Sequence, residues 1–317
     1  MSQFAFVFPG QGSQAVGMLD AWGDHPAVQA AIQEVSDALG EDMGRLIAEG
    51  PKEDLALTTN TQPVMLLAGV AAYRAWRHEG GAEPKVMAGH SLGEYSALVA
   101  AGALTLAQAA PLVRFRAQAM QEAVPVGQGA MAAILGLAAQ QVVAVCAEVQ
   151  AGFGHDSTEV VQAVNFNDPM QTVIAGSKVA VEKAMADLKA AGAKRALPLP
   201  VSAPFHSSLM KPAADRLAER LASVEMQAPN IPVINNIDVQ IQTDVIQIKE
   251  ALVRQAYGPV RWVECMSAIQ AAGVQAVIEC GPGKVLAGMS KRILPELACA
   301  SLFDPASMNE VKVMLSS

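Results

Sequence analysis

The chain has 317 residues, with 22 Lys+Arg against 30 Asp+Glu and a formal net charge of −8. Hydrophobic residues make up 52% and charged residues 16%, which excludes a disordered chain, and the lack of excess Lys and Arg argues against a nucleic-acid binder. Aromatic residues are only 4%, so Ala, Val, Leu and 15 Met must fill the core, favouring helices on a parallel sheet over a β-sandwich. The length allows one large domain or a large one plus a small one.

In chain order, residues 4–8 read as a buried strand closed by Pro9-Gly10. The run lacks the basic segment of a signal peptide, so a cytoplasmic protein is expected. Helical periodicity covers 25–39 and 63–76, the second with Pro63 in its first turn. Residues 85–88 form a short apolar strand, 89–93 a turn, 94–101 a helix and 106–122 another. This alternation marks a parallel α/β sheet. Two uncharged stretches, 95–113 and 123–147, reach the ~18 residues of a membrane span. Gly102, Thr105, Gln108 and Pro111 break the first, and Pro125 with several Gly and Gln breaks the second, so no membrane partner is expected.

After Pro125 the pattern changes to strands at 129–135, 160–165 and 171–175, helices at 139–148 and 178–191, and a strand at 194–199. The order β-α-β-β-α-β matches a ferredoxin-like unit. Helices resume from Leu209, with strands at 231–235 and 275–279 and a helix after Gly283. We therefore expect a discontinuous α/β domain of residues 1–125 and 200–317, with a small domain inserted at 126–199.

Gly89-His90-Ser91-Leu92-Gly93 fits G-x-S-x-G, placed between a strand and a helix as a nucleophile elbow requires. The turn projects the Ser91 hydroxyl and sets the Leu92 N–H at a helix start, where it can donate to an oxyanion. A serine needs a base, and the chain has five histidines. His25 and His78 read as structural or solvated, and His155 lies in an unshielded loop. His90 adjoins Ser91 and is expected to line the pocket rather than act as base. By elimination the base is His206. At least three elements follow it, and no suitable acid precedes it outside the inserted unit. A Ser–His dyad therefore fits better than a hydrolase triad.

Other groups carry competing readings. Gly10-Gln11-Gly12 with Ala15 satisfies G-x-G-x-x-A after the first strand, but the acidic residue of a dinucleotide site is missing. A glycine-flanked loop also suits an oxyanion hole, with the Gln11 N–H as second donor. Arg116 lies in a helix rich in Ala, Leu and Met. It either snorkels to a surface acid or binds a carboxylate with its planar fork. Gly281-Pro282-Gly283-Lys284 lacks P-loop spacing, and Lys284 and Lys291 are expected to face solvent. Cys146, Cys265, Cys280 and Cys299 form no CxxC and read as small buried hydrophobes, so no metal is expected.

Taken together, the sequence resembles the malonyl-CoA:acyl carrier protein transacylases of bacterial type II fatty acid synthesis. The stretches carrying the likeness are Phe8-Pro-Gly-Gln-Gly-Ser-Gln14, Asn60-Thr-Gln-Pro63, Gly89-His-Ser-Leu-Gly-Glu-Tyr-Ser96, Met120-Gln-Glu-Ala-Val-Pro125, Gly129-Ala-Met-Ala132, Asn165-Phe-Asn167, Pro204-Phe-His206, Asn235-Asn236 and Glu279-Cys-Gly-Pro-Gly283. The resemblance implies an α/β-hydrolase-like domain with a ferredoxin-like insertion. It implies Ser91 as nucleophile, His206 as base and then acid, and the Gln11 and Leu92 N–H groups as oxyanion hole. It implies that Arg116 grips a malonyl carboxylate with Gln62 nearby, that His90 lines the substrate pocket, and that a backbone carbonyl near Gln255 orients the histidine. Malonyl-CoA and acyl carrier protein would be the partners of a monomer, with no cofactor beyond the thioester substrate. Residues 152–158 look like a small insertion relative to the family. Polyketide-synthase acyltransferases share these motifs, and a serine thioesterase is the reading from another class. Phe205 before His206 resembles malonyl-selective members. An acidic carrier would need a local basic patch, for which Lys194, Arg195, Lys211, Lys284, Lys291 and Arg292 are candidates.

Overall fold

A computed structural model describes residues 3–154, 156–201 and 203–316. The chain opens with β1 (Phe4–Phe8), then α1 (Pro26–Leu39), α2 (Met43–Glu49), α3 (Lys52–Ala56) and α4 (Thr58–His78). Next come β2 (Val86–Gly89), α5 (Gly93–Ala100) and α6 (Leu106–Glu122). The middle of the chain forms β3 (Gly129–Leu135), α7 (Ala139–Gly152), β4 (Val161–Asp168), β5 (Gln171–Ser177), α8 (Lys178–Ala190) and β6 (Arg195–Pro198). The remainder forms α9 (Lys211–Ala222), β7 (Val233–Ile234), α10 (Val245–Tyr257), α11 (Trp262–Ala271), β8 (Ala276–Cys280), α12 (Val285–Ile293), β9 (Ala298–Leu302) and α13 (Pro305–Ser316).

Two sheets result, giving the expected fold class. The first has five strands in the order β7-β2-β1-β8-β9, every pairing parallel. All five side chains of β1 are buried, as a strand covered on both faces demands. Phe6 and Phe8 meet Tyr73 of α4 edge-on at 6.0 and 6.5 Å, and Phe4 and Phe6 meet Trp76 at 6.1 and 5.8 Å. Five of the fourteen Phe, Tyr and Trp residues thus gather where the central strand meets its longest covering helix. The second sheet has the order β4-β5-β3-β6 and is antiparallel throughout. Helices α7 and α8 cover one face through Val142, Cys146, Ala180 and Leu188. Its other face sets Met131, Ala133, Val164 and Val173 against Ala119 and Met120 of α6 and against Phe205.

The observed elements depart from expectation at several points. Helix α4 begins at Thr58, so Pro63 lies inside it. The Thr61 hydroxyl donates to the carbonyls of Leu55 and Leu57 at 2.6 and 3.0 Å, anchoring the start ahead of the proline. The helix expected at 106–122 is α6, with Gln108 and Pro111 inside it and a capping box between Thr105 and Gln108 setting its start. β4 runs on to Asp168, held by pairing with β5 across two register shifts. β9 and α13 extend the fold beyond the elements expected. Cys146, Cys265 and Cys280 are buried and Cys299 partly so. Among the described residues, no helix is long and apolar enough to cross a membrane.

Candidate active site

Ser91 follows β2 and precedes α5, at the carboxyl end of the parallel sheet. Its φ of +52° is left-handed, a strained conformation for a side-chain-bearing residue. The flanking glycines are required sterically. A Cβ on Gly89 would lie 1.9 Å from the Gly93 carbonyl, and one on Gly93 would lie 2.0 Å from the Phe8 oxygen. Asn236 clamps the turn, its Oδ1 accepting from the Ser91 N–H at 2.7 Å and its Nδ2 donating to the Gly89 carbonyl at 2.8 Å.

His206 enters from the loop before α9, also in a left-handed conformation (φ +66°). Its Nε2 lies 2.7 Å from Ser91 Oγ, and its Nδ1 lies 2.8 Å from the Gln255 carbonyl. A carbonyl only accepts, so Nδ1 carries the hydrogen and Nε2 presents its lone pair to the serine hydroxyl. Burial, reinforced by the positive charge of Arg116, lowers the His206 pKa to about 3. The imidazole is therefore neutral near pH 7, the form a base requires.

Arg116 of α6 is 2% exposed. Its Nη1 donates to Gln62 Oε1 at 2.8 Å, and its Nη2 to Ser91 Oγ at 3.2 Å and to Gln255 Oε1 at 3.1 Å. The Tyr95 ring lies 5.5 Å from the guanidinium carbon. Among the described residues no carboxylate forms an ion pair with it, although a buried charge is costly unless paired. This decides between the two sequence readings: the side chain points inward, not to a surface acid.

These groups line a cavity of about 120 Å³ together with Gln11, Leu92, His90, Met120, Met131, Asn165, Leu199, Val201 and Phe205. The Gln11 side chain donates to Thr58 Oγ1 at 3.3 Å. His90 reaches the antiparallel sheet, its Nε2 2.8 Å from Asn167 Oδ1, and its ring lies 5.4 Å from Trp262. Burial lowers its pKa as well. The structure thus brings together Ser91, His206, Gln11, Leu92, Arg116, Gln62, His90 and Gln255. His25 caps α1 half-buried against Trp22 and His78, more enclosed than expected, whereas His155 lies outside the described residues. Three participants escaped the sequence reading: Glu94, Asn167 and the clamping role of Asn236. A charged residue in the first turn after the elbow, followed by apolar residues, was the available signal for Glu94.

The profile of acyl transferase domains matches residues 5–305. The chain belongs to the acyl transferase family. It is 53% identical over 309 residues to the malonyl CoA-acyl carrier protein transacylase of Escherichia coli strain K12, covering 97% of this chain and 98% of that one. Its fold matches the crystal structure of an acyl-carrier-protein S-malonyltransferase from Burkholderia pseudomallei at TM-score 0.95 and 63% identity, over 99% and 100% of the two chains. It also matches a malonyl-transacylase solved in complex with a type II polyketide acyl-carrier protein, at TM-score 0.94 and 51% identity, over 97% and 98% of the chains. An elbow serine, a histidine and a buried arginine converge here on one small cavity.

Proposed function

We propose that the protein transfers a malonyl group from malonyl-CoA to the phosphopantetheine thiol of an acyl carrier protein, through an acyl-enzyme on Ser91. The observation that carries this reading is Arg116, a buried cation whose hydrogen bonds run to neutral oxygens, 3.2 Å from the nucleophile. A site built this way awaits an anion on the acyl group, and the planar fork suits a carboxylate.

Ser91 Oγ attacks the thioester carbonyl as its proton passes to His206 Nε2. The Gln11 and Leu92 N–H groups take the negative charge on the carbonyl oxygen. The carbon–sulfur bond breaks and His206 returns the proton to the departing CoA sulfur. In the second half the carrier thiol gives its proton to His206, its sulfur attacks the ester, and Ser91 Oγ leaves with that proton. The Gln255 carbonyl holds the imidazole tautomer throughout, while His90 and Gln62 shape the acyl pocket. The thioester is already activated, so the reaction needs no metal or other cofactor.

The reading places the enzyme in fatty acid synthesis in the cytoplasm, as a monomer, with residues 126–199 forming a unit inserted into a catalytic domain of 1–125 and 200–317. Of the candidate docking cations, Lys211 pairs with Asp215 and Arg292 with Asp168, leaving Lys194, Arg195, Lys284 and Lys291 as the better candidates for an acidic carrier. A polyketide carrier is the second reading, favoured by the relative solved with one. The test is intact-protein mass spectrometry after mixing with malonyl-CoA. One malonyl adduct is expected on the wild type and none on S91A; a wild type without adduct overturns the reading. Release of free malonate without any carrier would identify a hydrolase instead.

A further inference from the structure

Glu94 stands in the first turn of α5, three residues past the nucleophile, and is 2% exposed. Its Oε2 accepts the Asn236 backbone N–H and the Gln255 side-chain amide, both at 2.8 Å. Each of these partners reaches the reacting groups separately. Asn236 holds the elbow at Ser91 N and Gly89 O. Gln255 donates from Nε2 to the Ser91 carbonyl at 3.1 Å, accepts from Arg116 Nη2 on Oε1, and accepts from His206 Nδ1 on its backbone carbonyl.

The chemistry of these atoms gives the arrangement a direction. A carboxyl oxygen that accepts forces the Gln255 NH₂ toward Glu94, so the amide oxygen must face Arg116. Turned over, the amide would set donor against donor at the guanidinium. Glu94 thus hydrogen-bonds both the residue that clamps the nucleophile and the residue that orients the base and the cation, and those two also meet directly, Gln255 Nε2 donating to Asn236 Oδ1 at 3.4 Å.

We propose that Glu94 is a positioning residue for acyl transfer: its Oε2 fixes the Gln255 amide and the Asn236 main chain, and through them Ser91, His206 and Arg116. The inference rests on the transfer reading above. Burial pushes the Glu94 carboxyl up to about 7, yet Oε2 remains an acceptor in the neutral acid with the proton on Oε1. The role therefore needs an acceptor at that point and not a charge.

The experiment compares wild type, E94Q, E94D and E94L, each confirmed folded by circular dichroism and thermal melting. Ser91 labelling by a fluorophosphonate is timed, and malonyl and acetyl transfer are measured beside it. E94Q keeps an oxygen at the Oε2 position and should label within about 3-fold of wild type. E94D draws the acceptor back by about one bond, ~1.5 Å, and should label on the order of 100-fold more slowly. E94L keeps the volume without any acceptor and should be as slow, so the comparison survives if one variant does not fold. For E94D and E94L the malonyl kcat should fall in step with labelling, and the preference for malonyl over acetyl should narrow as Arg116 loosens. Folded E94D and E94L labelling at the wild-type rate would leave Glu94 merely structural and overturn the inference, as would an E94Q as slow as E94D. A wild type that labels but takes up no malonyl group would overturn the transfer reading alone, with the labelling series still deciding the role of Glu94.

Discussion

The two sheets meet at the active site and contribute opposite kinds of surface. The parallel sheet and its helices form a polar floor of Ser91, His206, Arg116, Gln62 and Gln255, hydrogen-bonded to one another. The antiparallel sheet and the loop leaving it form a mainly apolar roof of Met131, Leu199, Val201 and Phe205, with Asn165 and Asn167 as its polar points. The floor sits where parallel strands end and helices begin, so backbone N–H groups and buried side chains are held by short rigid elements. The roof is pinned to the floor at a few places: His90 with Asn167, Arg292 with Asp168 at 2.7 Å, and Val260 bridging to Asn165. In the proposed reaction, bond making belongs to the floor and the roof limits the size of the acyl group.

Arg116→Ala should give the largest separation between these tasks. Charge-assisted hydrogen bonds contribute about 1.5–3 kcal/mol each, so losing a two-pronged grip on a carboxylate should cost kcat/KM for malonyl-CoA about 100- to 10,000-fold. Acetyl-CoA has no carboxylate, and its transfer should change by less than about 10-fold, the loss of the Ser91 Oγ contact included. Steady-state kinetics with the two thioesters is the measurement. Equal losses would mean that Arg116 serves only the nucleophile, and the floor would have no acyl selectivity of its own.

The floor was more legible in the sequence than its supports. G-x-S-x-G carries its own steric logic, and with five histidines in the chain elimination could reach His206. β3 was legible to the residue, from a glycine-bounded apolar run. By contrast, Ala298–Leu302 is a half-exposed edge strand of small residues with no alternation to mark it, and β7 is only two residues long. Pro63 was read as lying in a first helical turn, yet α4 begins at Thr58 with Thr61 anchoring its start, whereas the helix read at 106–122 is α6 to the residue, with Pro111 inside it. The hub of Glu94, Asn236 and Gln255 joins positions more than 140 residues apart in its longest bonds. No local pattern encodes such a pairing, because it depends on the order in which strands lie in the sheet.

Phe205→Ala alters the roof. The residue is 9% exposed and packs in the cluster containing Met120 and Met131 while lining the cavity. Removing it should enlarge the space around the acyl α-carbon and raise the kcat/KM ratio of methylmalonyl-CoA to malonyl-CoA by roughly 10-fold, the scale of one methyl group in an apolar pocket. Stability should fall by about 3 kcal/mol, measured by chemical denaturation. Fluorophosphonate labelling of Ser91 should stay within about 3-fold of wild type. If labelling collapses while the substrate ratio is unmoved, Phe205 holds His206 in place and the division between roof and floor fails at that residue.

The smallest expected effect is an absence of pH dependence where an ordinary histidine would show one. A free imidazole, near pKa 6.5, would be about one-tenth neutral at pH 5.5, and a base of that kind would lose about 10-fold in rate between pH 7.5 and 5.5. His206 is lowered to about 3 by burial first and by the Arg116 charge second, so it stays neutral across that window. Glu94 gains a proton near 7 without losing its acceptor oxygen, and a malonyl carboxylate stays ionised. Single-turnover acylation of Ser91 should therefore vary by less than about 2-fold from pH 7.5 to 5.5. Stability follows the same shift with a definite sign. The unfolded chain takes up a proton on this histidine below about 6.5 while the folded chain refuses it, so the His206 contribution falls as pH drops toward about 3. R116A removes the second cause and should raise the His206 pKa, while burial keeps it below the ordinary value. An acid limb near pH 6.5 in the wild type would show that the floor is open to water, and the rigidity contrasted with the roof would then lie in the strands rather than in the dyad.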